Sequence, residues 1–189
     1  MSAGSWHKER YAEYMEDIRI ARDEIKNIKL YPSEPVICDI YALPSHNFQA
    51  YYAMIYERNG RLEMVYAKPQ IYSCQYIEPV RMYSFATSRR ADKRPGFDGR
   101  IVIGIRHLTD GFSELIRSIM QNLPDRYILD ENWIVIADGV FQAIRVFDGD
   151  AVIKEVVYYE ADRIPVENQK EWLRNQLDHL YLLAGEIIR

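Results

Sequence analysis

His107 is the side chain in this sequence best placed for acid–base work. It closes an apolar run that starts at Arg100, and Leu108, Thr109 and Asp110 follow it, so it is expected at a strand–helix junction. Imidazole titrates near neutrality, and such junctions often carry sites. Arg106 lies beside it. No motif sets a nucleophile or a second base next to the pair, so both residues are candidates for binding and neither is assigned a catalytic role.

A second candidate is electrostatic. Between Arg81 and Arg106 there are 7 basic residues against Asp92 and Asp98, a net of +5, while the remaining residues carry a net of −9. Ser88–Gly99 has no hydrophobic periodicity, and Arg89, Arg90, Lys93 and Arg94 concentrate its charge. A basic loop on an acidic body suits phosphates or an acidic protein surface. Nucleic acid is a poor partner, because the body repels a phosphate backbone and no DNA- or RNA-binding motif occurs.

Other chemistry is not signalled. No glycine-rich phosphate loop, dinucleotide fingerprint or Gly-x-Ser-x-Gly elbow is present. His7, His46, His107 and His179 are isolated, and Cys38 and Cys74 lie far apart in strand-like runs, without the spacings that close a zinc site. Two buried free thiols are expected. Asp148-Gly149-Asp150 pairs two carboxylates, but between two apolar runs it reads as a hairpin turn. A nuclease core wants Glu-x-Lys on a strand, and Glu24-Ile25-Lys26 falls in a helical pattern. No metal and no cofactor are expected.

The elements that must hold these candidates follow from periodicity. Tyr11, Tyr14, Ile18, Ala21, Ile25 and Ile28 recur at steps of 3 and 4, which predicts a helix over 6–28 with Ser5 as N-cap. Tyr31-Pro32 and Pro35 are expected to stop it. Strands are expected between about 36 and 107: Val36–Leu43, a hairpin around Asn59-Gly60, runs at Ile71–Ile77 and Arg81–Thr87 marked off by Pro69 and Pro79, and Arg100–His107. A two-residue Asn59-Gly60 turn sets Ile55 opposite Met64 and Ala53 opposite Tyr66. Gly104 inside its strand signals a bulge or a close backbone approach. Asp110 is expected to cap a helix over 110–123. A three-stranded meander over 133–159 is then expected, turning at Asp138-Gly139 and Asp148-Gly149-Asp150. A long helix over 166–188 follows, with Leu173, Leu177, Leu180, Ala184 and Ile187 along one face.

These elements predict a single α+β domain over 1–189. A mainly antiparallel, meandering sheet is packed by an N-terminal, a middle and a long C-terminal helix. The 189 residues, 48% apolar and 28% charged, suit one ordinary core. Tyrosine is in excess, 15 against 6 phenylalanines, and most of it falls in strand-like runs, so half-buried sheet faces are its expected place, with protein interfaces as the other use. No apolar run reaches the ~18 residues of a membrane span, and a cytoplasmic setting is the default expectation. The functional expectation is a non-catalytic protein-binding module, an immunity-type inhibitor of bacterial kind that neutralises a partner such as a toxin. The alternative is a small-molecule binder or enzyme with a pocket between the curved sheet and the C-terminal helix. A homodimer joined through the N-terminal helix is the third reading.

Overall fold

In a computed structural model, residues 3–44, 50–71, 85, 97–128, 140–159 and 170–188 are described. Helix α1 (Ala3–Asn27) leads into β1 (Val36–Pro44), β2 (Tyr51–Arg58), β3 (Arg61–Ile71) and β4 (Phe97–His107). Helix α2 (Asp110–Asn122), β5 (Arg126–Ile128), β6 (Val140–Asp148), β7 (Ala151–Tyr159) and α3 (Lys170–Ile188) complete the described chain. The strands form one sheet in the order β4-β3-β2-β1-β6-β7-β5. Six are antiparallel to their neighbours; three-residue β5 runs parallel to β7. The antiparallel α+β class expected from the sequence is what forms.

Local turn chemistry builds the first hairpin. Asn59 and Gly60 have φ of 53° and 76°, the positive pair that a type I′ turn demands. The predicted register holds, with Ile55 opposite Met64 and Ala53 opposite Tyr66. The β6–β7 turn differs. Gly149 has a φ of 58°, and Asp150 does not share the positive region.

Strand β6 sits between β1 and β7, so both its hydrogen-bonding edges are taken from Phe141 to Val146. Strand β1 thus holds the place that the expected meander gives to Trp133–Ala137, which lies outside the described residues, as does Asp138-Gly139. A turn signal acts over a few residues, whereas an apolar central strand is satisfied only by neighbours on both sides. The sheet accordingly joins a four-strand meander to a β6–β7 hairpin through the β1–β6 contact.

Several boundaries also move. Helix α1 begins before Ser5, so Ser5 is not its N-cap. Prolines do not end it: Lys29 takes a left-handed φ of 58°, Leu30 N–H donates to Ile25 O at 3.0 Å, and Lys29 N–H donates to Lys26 O at 2.9 Å. This is a Schellman stop with lysine in the usual glycine place. Thr109, not Asp110, caps α2, its hydroxyl accepting from Phe112 N–H at 3.3 Å. Strand β3 runs through Pro69 to Ile71. Proline is tolerated there because β2 pairing ends at Ala67. Phe85, the one described residue of the expected Arg81–Thr87 strand, is helical and buried.

Each face of the sheet is covered, so central strands read as continuous apolar runs. Helices α2 and α3 cover one face. Phe112, Leu115, Ile116 and Ile119 pack there with Leu177, Leu180, Ala184 and Ile188 onto Ile40, Ala53, Ile55, Met64, Ile144 and Val156. Neither helix has a basic residue in its last turn, and sheet lysines reach their C-terminal carbonyls instead. Lys154 Nζ donates to Met120 O, Gln121 O and Leu123 O at 2.9, 3.2 and 3.0 Å, and Lys68 Nζ to Ile188 O at 2.8 Å.

Helix α1 covers the other face through Tyr14, Ile18, Ala21 and Ile25, which meet Tyr41, Tyr52, Met54, Val65, Phe141 and Val157. The stripe considered as a dimer seam is occupied by the chain's own sheet. Tyr41, Tyr52, Tyr56 and Tyr158 are almost wholly buried on sheet faces, the role expected of strand tyrosines, and Tyr14 is buried from α1.

Gly104 marks a close approach. Its strand partner is Tyr66, and a Cβ built on Gly104 lies 2.5 Å from Tyr66 Oη and 2.6 Å from its Cζ. The ring is itself covered by the Arg106 guanidinium, 5.6 Å from its centroid. Gly104→Ala is expected to cost about 1–3 kcal/mol by displacing that ring. In the Tyr66→Ala background the same change is expected to cost under about 1 kcal/mol, and a double-mutant cycle in urea reads the difference.

Candidate functional site

The face under α1 carries the polar chemistry of the fold. Register alone aligns Asp39 (β1), Arg145 (β6), Glu155 (β7) and Arg126 (β5) in one row across four strands, alternating in sign. Asp39 and Arg145 are 2% and 6% exposed. Arg145 forks onto Asp39, through Nε to Oδ1 at 2.9 Å and through Nη2 to Oδ2. Tyr52 Oη donates to Asp39 Oδ2 at 2.8 Å, and Arg22 of α1 reaches Tyr52 Oη and Asp39 Oδ2 at 2.6 and 3.2 Å. Both guanidiniums lie against the Phe147 ring, at 5.5 and 5.4 Å. Burial raises the Tyr52 phenol well above its ordinary value, and the Asp39 charge adds to that.

Helix α1 spans this row, reaching Glu155 from Tyr11 and Asp39 from Arg22. Tyr11 Oη donates to both Glu155 oxygens at 3.1 and 3.2 Å, and Tyr41 Oη donates to the fully buried Asp17. Between them Tyr14 packs on the rings of Tyr41 and Phe141 at 5.3 and 5.8 Å. Its buried hydroxyl has no hydrogen-bond partner among the described residues. The row is therefore a self-neutralising lock between helix and sheet. Within it Asp39 and Arg145 neutralise one another, and Tyr11 holds Glu155.

A second cluster stands at the β3–β4 end of the same face, and it contains His107. Glu63, opposite His107 in the ladder, is 6% exposed. One oxygen, Oε1, lies 3.1 Å from His107 Nδ1; the other, Oε2, accepts from Tyr56 Oη at 2.9 Å and lies 3.4 Å from Arg58 Nη1. Arg58 also forks onto Glu34 at 2.7 and 2.9 Å, and this holds the Glu34 carboxyl at about 2. The imidazole is 81% exposed, so a buried carboxylate orients an open ring. That is the arrangement of a base and its orienting group. The partners Glu63 gathers among the described residues include no Ser, Thr or Cys.

Burial, with the Glu63 hydrogen bond second, raises the Tyr56 phenol to about 12. An acid whose folded pKa exceeds its unfolded value near 10 adds stability below pH ~10 and loses it as pH climbs from ~10 to ~12. Urea denaturation across that window is expected to show falling stability, with a shallower fall in Tyr56→Phe. An unchanged slope would mean that folding does not raise the Tyr56 phenol.

Of the expected site residues, Arg106 and His107 are adjacent and exposed at the end of β4. Arg89, Arg90, Lys93 and Arg94 lie outside the described residues. Their segment joins β4 at Phe97, and ten residues separate Phe97 from His107, roughly 33 Å along a strand. The two lie on opposite faces of the sheet: His107 is on the α1 face with Glu63, and Arg106, opposite Met64 and over the Tyr66 ring, is on the face that α2 and α3 cover. Sequence reasoning missed Glu63, Asp39, Arg145 and Glu155. A charged residue inside an apolar strand run was the available signal. Cys38 is a free thiol buried in the core, its pKa pushed up by burial, and Cys74 lies outside the described residues. Among the described residues no three His, Cys, Asp or Glu side chains gather as a metal site, and no helix is long and apolar enough to cross a membrane.

Compared with known proteins, the chain matches no family model, no curated protein and no solved structure.

Proposed function

We propose that this chain is a non-catalytic protein-binding domain, with an immunity-type inhibitor of a toxin as the best-fitting job. The observation that carries the reading is the state of its buried charge. Asp39, Arg145 and Arg22 satisfy one another together with Tyr52, and Tyr11 of α1 holds Glu155, so these groups bind helix to sheet. Groups spent in this way hold a shape, and shape with a polarised surface is what an inhibitor needs. Most of the described tyrosines are buried in the fold, so partner contacts are expected from other surface groups.

The test is affinity capture with cross-linking from the native cells, followed by reconstitution with the captured protein. A stoichiometric complex in which the partner's activity is suppressed is the expected result. Repeated capture of no protein partner counts decisively against the reading. A second reading, a ligand-binding or acid–base site, is favoured by the Glu63–His107 pair alone. Loss of a ligand-dependent thermal shift in His107→Gln would support it.

A further inference from the structure

The two margins of the sheet differ in a way that points to a docking surface. On one side β5 is three residues long, which blunts that edge. On the other, β4 has one strand neighbour among the described residues, β3, and their register is unbroken from Ile101 to His107. That stretch reads Ile-Val-Ile-Gly-Ile-Arg-His, with no proline, acid or bulge to discourage pairing.

The orientation of its backbone follows from one bond. Leu108 N–H donates to Leu62 O at 3.1 Å, so in an antiparallel ladder Arg106, Gly104 and Val102 also bond inward to β3. Ile101, Ile103, Ile105 and His107 therefore turn their N–H and C=O groups outward. The carbonyl of Ile105 is met there by its neighbour's side chain, Arg106 Nη1 donating at 3.1 Å. On the α2–α3 face the same edge offers Val102, Gly104 with the Tyr66 ring across it, and exposed Arg106, which no acid among the described residues pairs.

We propose that the β4 edge, Ile101–His107, accepts an extended segment of a partner protein as an added antiparallel strand. The matching segment sets an acidic residue opposite Arg106 and a large apolar one opposite Gly104, whose missing side chain leaves room for it above the buried Tyr66. A second copy of this chain is the poorer occupant. The two-fold register that uses the whole regular stretch puts Gly104 against Gly104 and Val102 against Arg106, and supplies no acid. The inference rests on the protein-binding reading above and names the surface that would serve it.

The probe is the peptide acetyl-Thr-Glu-Thr-Phe-Thr-Val-Thr-amide, titrated into the full chain and followed by NMR. Saturable binding is expected, weakened about tenfold or more when the Glu is Lys, with the preference reversed in Arg106→Glu. Methylating the backbone nitrogens of the third and fifth residues is expected to abolish it. Amide exchange at Ile103 and Ile105 is expected to slow about tenfold on saturation, while Gly104, already bonded to β3, is unmoved. No saturable binding up to millimolar peptide, indifference to N-methylation, or slow exchange at Ile103 and Ile105 in the free chain would each overturn the proposal; in the last case a concentration-dependent mass would identify a second copy as the occupant. If a captured natural partner binds Arg106→Glu and wild type equally, the edge is not its site, and the protein-binding reading stands without it.

Discussion

Asp39→Asn is expected to lower the unfolding free energy by about 3–5 kcal/mol, the usual cost of removing one partner from a buried ion pair. The change is nearly isosteric, so packing is preserved and electrostatics carries the effect. Arg145, 6% exposed, would keep its charge and lose the carboxylate on which it forks, and Arg22 would lose the same acceptor. For a chain of this size the midpoint of thermal unfolding should fall by roughly 6–20 °C. Asp39→Leu combined with Arg145→Met should recover part of the loss, because two apolar groups leave neither of that pair stranded, while Arg22 and Tyr52 still lose their acceptor. A deficit under about 1 kcal/mol for Asp39→Asn would mean that water or Arg22 rearrangement compensates the pair, and that the row across the sheet does not lock α1 in place.

Leu177→Ala should cost about 3–5 kcal/mol. Leu177 is fully buried where α3 meets the sheet, in one packed cluster with Leu180, Ala184 and the α2 side chains. A filled core cannot collapse fully around the lost atoms, so the penalty includes a cavity. The same measurement bears on the alternative of a ligand pocket beneath α3. A cost near 1 kcal/mol, the transfer term of the lost methylenes without a new void, would indicate space already present there. Denaturant unfolding with an unchanged m-value is the appropriate readout.

The parts of the fold that depend on neighbours in the chain were legible. Asn59-Gly60 set a turn and through it a register, because positive φ at two successive positions is a property of those two residues. The stripes of α1, α2 and α3 were legible for a similar reason: a helix repeats every 3.6 residues regardless of what it packs on. His107 was identified as a junction residue for the same local reason. Its orienting carboxylate was not. Glu63 is 44 residues earlier, and the β3–β4 pairing that brings them together crosses a long connection with no turn signal of its own.

The amino-acid sequence by itself determined that this chain folds as α+β, where most of its elements run, and that tyrosines such as Tyr41, Tyr52 and Tyr56 belong to sheet faces. Only the tertiary structure decided that β1 pairs with β6, since the local signal at Asp138-Gly139 suggested a hairpin and carried no information about a strand a hundred residues earlier. From that one pairing follows the row Asp39–Arg145–Glu155–Arg126, whose first two members are 106 positions apart. It likewise decided which edge of the sheet is long and regular among the described residues, the premise of the proposed strand addition. Edges and cross-strand rows belong to the order of strands, and that order is fixed by the burial of both faces at once.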